Sequence, residues 1–168
     1  MPVLTTTYSA NTTIVMNLTT LASSATYIAG RESNQIDNTT TQYIDAIVYG
    51  DFTVGTTPGI TGGLVVYVWG SEISLVTTPL KTLDGADSDE SLTTTELGML
   101  KFAGLTAVLV ATSDTQYFIA PFSVAALFGG IMPKFWGLYV SQSTGVALRT
   151  NAANTDSFLF NGITYTST

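Results

Sequence analysis

Carboxylates are the side chains to which acid–base chemistry would first fall in this chain, and they are few. The 168 residues contain no histidine and no cysteine, and only 10% are charged. A Ser-His-Asp arrangement is therefore impossible, and so is a thiolate metal site or a disulfide. Acid–base work would fall to a carboxylate pair of the kind used in glycoside hydrolysis. Asp45 and Asp51 are the pair that the pattern puts on one strand face. At the usual rise per residue their Cα atoms would lie about 20 Å apart, too far for that task. The acidic run Asp84, Asp87, Asp89 and Glu90 is rich enough in oxygen to interest calcium, but its spacing is not that of an EF-hand loop. It reads first as a solvated loop. Gly62-Gly63 has no lysine or helix behind it and is no phosphate loop. The N-x-[ST] triplets at Asn11, Asn17 and Asn38 arise readily in a threonine-rich chain and are assigned no glycosylation. The expectation is a structural or binding protein, not an enzyme, with no cofactor and no metal.

Aromatic side chains are the better candidates for function. Tyr67 and Trp69 share one strand face, and Tyr43 and Tyr49 share another. Such rows stack on sugars or anchor protein interfaces, because a Tyr or Trp offers large area at low entropy cost. They also serve as core, the bland reading for Trp69 and Trp136. Met1, Val3, Leu4 and Tyr8 complete the candidate interface, as parts of an N-terminal arm over residues 1–11 that reaches a neighbour and adds a strand to its sheet.

The elements that must position these residues are strands. Thirty residues are threonine, a β-branched type that favours a pleated, half-buried surface. Turn-forming clusters divide the chain at short intervals, the pattern of a sandwich or barrel. A first strand is expected over 12–21, with Ile14, Met16 and Leu18 on one face, and a loop over 30–41. The clearest alternation runs from Tyr43 to Gly55: Ile44, Ala46, Val48, Phe52 and Val54 on the core face, Tyr43, Asp45, Ile47, Tyr49, Asp51 and Thr53 on the other. Leu64 to Trp69 is apolar on both faces and must be central or covered by a partner. Residues 71–95 read as a long polar loop with one short strand. A helical turn and then a strand from Lys101 follow. A hairpin through 112–115 leads into Tyr117–Phe122. Ser123 to Phe128 reads as a short helix, with Ser123 as N-cap and Gly129-Gly130 as its stop. Strands over 135–140, 146–148 and 158–165 close the fold. The result is one all-β domain, an antiparallel β-sandwich of about eight strands with one short helix.

Charge narrows the partners. A net charge of −7 and five scattered basic residues argue against nucleic acid. No apolar run approaches the roughly 18 residues of a membrane helix, and the N-terminus lacks the basic and apolar regions of a secretion signal. With so few charges, much of the surface must be Thr, Ser, Asn, Gly and apolar groups, which suits a subunit covered by neighbours.

Two segments carry a resemblance. The first is AGRESNQIDNTTTQYIDAIVYGDFTVGTTP at 29–58, followed by LVVYVWGS at 64–71; the second is FIAPFSVAALFGGIMPKFWGLYVSQSTGVAL at 118–148. Together they resemble structural proteins of tailed bacteriophage virions. The resemblance implies a sandwich of jelly-roll type working as a capsid cement, or decoration, protein. Its partners would be the major capsid protein and copies of itself, as a homotrimer or similar cluster. It would be assembled in the host cytoplasm and sit on the capsid surface. A tail or collar component, or a sugar-binding adhesin of the same virion, is the alternative; a free carbohydrate-binding module is a third reading. No catalytic residues come with the resemblance.

Overall fold

In the computed structural model, which describes residues 3–149 and 157–167, strands and the loops between them build the chain, and helix is confined to two four-residue segments. The elements in order are β1 (Leu4–Tyr8), β2 (Thr12–Ile14), β3 (Ala29–Glu32), β4 (Ile36–Asp37), β5 (Asp45–Thr53) and β6 (Gly63–Ser71). There follow β7 (Ser88–Ser91), α1 (Thr94–Leu97), β8 (Lys101–Ala107), β9 (Gln116–Ser123), α2 (Val124–Leu127), β10 (Phe135–Gln142) and β11 (Phe158–Ser167). Two antiparallel sheets pack face to face as a sandwich. The first has the order β1-β11-β5-β9, with β2 also on β11; the second has β7-β3-β10-β6-β8, with β4 on β10. Among the described residues no helix is long and apolar enough to cross a membrane.

Alternation builds the core between the sheets. Ala46, Val48, Phe52 and Val54 are fully buried, as are Leu64, Val66 and Val68 opposite them in the second sheet. Trp136, Leu138 and Val140 of β10, and Phe158 and Phe160 of β11, fill the same layer. Ile44 departs from its expected core position and is 39% exposed. It precedes β5, so the period-two rule does not reach it. Ile14, Met16 and Leu18 do face the core, although only 12–14 are strand.

Several expected elements change. The loop over 30–41 contains β3 and β4, both paired to β10. The hairpin through 112–115 does not form, because β8 and β9 lie in different sheets and the connection crosses from one to the other. The Tyr117 hydroxyl accepts the N–H groups of Leu109 and Val110 in that crossing, both at 3.3 Å. Residues 146–148 form no strand; Leu148 is buried and its N–H donates to the Leu21 carbonyl at 3.0 Å. The expected helix is α2. Ser123 caps it by accepting the Ala126 N–H at 3.0 Å, and Gly129 and Gly130 follow at φ 74° and 90°.

Strand β6 sits between β10 and β8 and buries both faces. Its second face is covered by the chain itself. Leu75, Leu83 and Leu92, from the segment read as a polar loop, and Leu100 just before β8 pack on Trp69 and Tyr139 as a second cluster of buried residues. Gly137 makes room: a Cβ there would collide with the Trp69 ring.

Candidate interaction surface

The carboxylates are engaged with the fold rather than with one another in a cleft. Asp45 accepts the Ser123 hydroxyl at 2.7 Å and the Ala125 N–H at 2.9 Å, so it holds the start of α2 against β5. The Asp51 carboxylate accepts the Ser157 N–H at 3.3 Å.

The acidic run is tied down by its neighbours in β3. Arg31 donates to Asp87 at 2.6 Å and to Asp89 at 3.1 Å. Glu32 is buried, and its two oxygens accept the N–H groups of Asp84 and Gly85, each at 3.0 Å. Burial outweighs these two hydrogen bonds and pushes the Glu32 carboxyl up to about 7. Carboxylate oxygens of Glu32, Asp84 and Glu90 lie within 4.8 Å of one another. The arrangement is a clasp, buried at Glu32 and open at Asp84 and Asp89, that fastens the 72–100 segment to the second sheet. A second fastening is the capping box of α1. Thr93 and Glu96 exchange hydrogen bonds, and Glu96 also accepts the Thr82 hydroxyl at 2.9 Å. Donors from Thr93 and Thr82 hold the Glu96 carboxyl down at about 2.

The predicted aromatic rows are divided by the fold. Trp69 is 2% exposed beneath the 72–100 segment, which corrects its expected place at an interface. The two-sided apolar pattern of β6 was satisfied from within the chain. Tyr67 is half-buried at the margin of the same cluster, edge-on to Phe102 with ring centroids 5.7 Å apart. Tyr43 and Tyr49 do not share a face. Tyr43 packs against the main core, edge-on to Phe160 at 6.1 Å. The Asn38 side chain accepts the Tyr43 N–H and donates to its carbonyl, so the residue belongs to a turn rather than to β5.

Tyr49 stays on the outer face of the first sheet. Its partner across the ladder is Leu159, Ile47 stands opposite Asn161, and Asp51 stands opposite Phe118. Tyr49, Ile47 and Leu159 are half-buried, and Phe118 is 74% exposed. No buried cluster lies on this face among the described residues. Phe118 and Leu159 went unnoticed in the sequence. Parity would have found them, since each alternates with a core residue.

The N-terminal arm is a strand of the chain's own sheet. Leu4 to Tyr8 pair with Ser167 to Ile163 of β11. Val3, Leu4 and Tyr8 are all more than half exposed; Met1 lies outside the described residues.

Compared with known proteins, the chain matches no family model, no curated protein and no solved structure.

Proposed function

We propose that this chain is a virion structural protein, a cement or decoration protein that binds the major capsid shell and stabilises it by protein–protein contacts. The observation that carries the reading is the apolar outer face of the first sheet. It carries Tyr49, Leu159, Ile47 and Phe118 and has no buried cluster over it among the described residues, while the equivalent face of the second sheet is sealed by four leucines. A surface of that kind suits a buried interface centre with a polar rim.

Two further points support it. The phage-like segments 29–58 and 118–148 supply parts of both sheets. With β1 and β2 counted as one interrupted strand and the short β4 and β7 set aside, the orders β1-β11-β5-β9 and β3-β10-β6-β8 are compatible with a jelly roll of eight strands, which supports that reading. The sugar-binding alternatives fare less well, because Trp69 and Trp136, the natural stacking platforms, are both buried.

The test compares particles assembled with and without the protein. The expected result is a lower melting temperature and faster loss under chelation for the bare particle. Equal resistance of the two would remove the stabilising role. Copy number separates the placements: hundreds per particle mean the head, six or twelve mean a tail or collar.

A further inference from the structure

The end of the first sheet is a two-stranded ribbon that the sandwich does not support. β5 pairs with β11 only as far as Ile163. Beyond that point β11 keeps a single partner, β1, over Leu4–Tyr8. Every residue of β1 is exposed, and Tyr165 to Ser167 are exposed as well. An isolated pair of strands is marginal in water. Here no turn joins the two, so nothing local offsets the entropy of ordering both.

The ribbon is amphipathic in an unusual way. Alternation puts Leu4, Thr6 and Tyr8 on one face, beside Ile163 and Tyr165 of β11. Thr5, Thr7, Thr164 and Thr166 make the other face entirely of threonine. Leu4, Tyr8 and Tyr165 are 65%, 64% and 54% exposed. The two strands of the ribbon also lack charged side chains: none occurs before Arg31 or after Asp156. β1 ends the sheet, and no strand among the described residues pairs its outer edge. A flat, uncharged edge is a template for another strand.

We infer that β1 pairs antiparallel with β1 of a second copy, on a two-fold axis through Thr6, joining the two first sheets into one. Three observations select this occupant. The strand Leu-Thr-Thr-Thr-Tyr is self-complementary about its centre, as a two-fold contact demands. Leu4 meets the partner's Tyr8 twice, Thr5 meets the partner's Thr7 twice, and the two Thr6 residues meet each other. Such apolar–aromatic and Thr–Thr pairs are the favourable cross-strand ones. The register is constrained, because a shift of one residue would turn the apolar face against the threonine face. A shift that keeps the faces aligned would leave Leu4 or Tyr8 without a partner. Finally, two chains of net charge −7 meet with least repulsion at their neutral ends. The contact is five residue pairs wide, at the small end of specific interfaces, so the dimer should be concentration-dependent. The inference rests on the ribbon and not on the virion reading.

The chain lacks cysteine, so a single introduced thiol reports the register. Across an antiparallel pair the Cα separation is about 4.5–5.5 Å, inside the disulfide range. Under mild oxidation of the full-length protein, Thr6→Cys should cross-link at least about tenfold faster than the exposed loop variant Thr112→Cys. Leu4→Cys or Tyr8→Cys alone should not cross-link at that rate, and the double variant should. In sedimentation at rising concentration the unaltered protein should dimerise. Thr6→Lys, which sets two like charges on the axis, should weaken that dimer by about tenfold or more, with the circular dichroism unchanged. A monomer at all concentrations, or a dimer that Thr6→Lys leaves intact, overturns the inference. So does a ribbon protected from hydrogen exchange only on a particle, which would assign the edge to another chain. A failed dimer leaves the particle-stability test untouched, and a bare particle of unchanged stability leaves the dimer standing.

Discussion

The outer faces of the two sheets start from similar material and end differently. On the second sheet, Trp69, Tyr139 and Tyr67 face outward and are covered by Leu75, Leu83, Leu92 and Leu100. On the first sheet, Tyr49, Ile47, Leu159 and Phe118 face outward and stay half-buried or exposed. The difference lies in chain length between strands. The β6–β8 connection spends some thirty residues on the second sheet, with Glu32, Arg31 and the α1 capping box fastening it. The first sheet receives no such excursion among the described residues. Apolar residues on an outer face thus mark a surface that a cover would suit. They do not say whether the cover belongs to the same chain.

The largest test of this contrast is Trp69→Ala. Emptying the second cluster should cost about 3–5 kcal/mol, read by denaturant unfolding, with faster hydrogen exchange across 72–100. Unchanged exchange there would mean that the segment is not held by its leucines. Next in size is the clasp. The Glu32 carboxyl sits at about 7 in the fold against 4.5 without it, so the fold favours the protonated acid. Its contribution is complete below pH 4.5 and is lost as the pH rises through 7, a change on the order of 2 kcal/mol. Glu32→Gln should flatten that slope between pH 5 and 8 in thermal melts; an unaltered slope would place the titration elsewhere. Thr93→Ala, which removes the N-cap of α1, should cost about 1 kcal/mol and loosen only the covering segment. The smallest effect on stability belongs to the open face. Tyr49→Ser with Phe118→Ser should stay within about 0.5 kcal/mol in unfolding, yet lower occupancy on the particle. A large loss of stability from that pair would show that the face is already covered.

Period-two patterning carried much of the fold. The face Ala46–Val54, the two-sided strand over 64–69 and the Ser123 cap with its glycine stop follow from spacing and residue type alone, because each depends on neighbours in sequence. The hairpin expected at 112–115 failed for the opposite reason. A turn signal shows that the chain reverses, not which sheet receives the next strand. Leu75, Leu83 and Leu92 were overlooked because they are scattered through a polar stretch with no period, and only their convergence with Leu100 on Trp69 makes them a cluster. Tyr43 was placed on the wrong face because Asn38 draws it into a turn before β5 begins.

What the sequence determined by itself was an all-β chain of threonine-rich strands, without histidine or thiol chemistry and with only five scattered basic residues. Local preference and composition suffice for that. Which aromatic residues are sealed and which are offered was decided only by the tertiary structure. Trp69 and Tyr49 both stand on the outer face of a strand, one beneath a fold of the chain and the other half-buried with no cluster over it among the described residues. Covering a face takes contacts between residues far apart in sequence, and no local pattern records them.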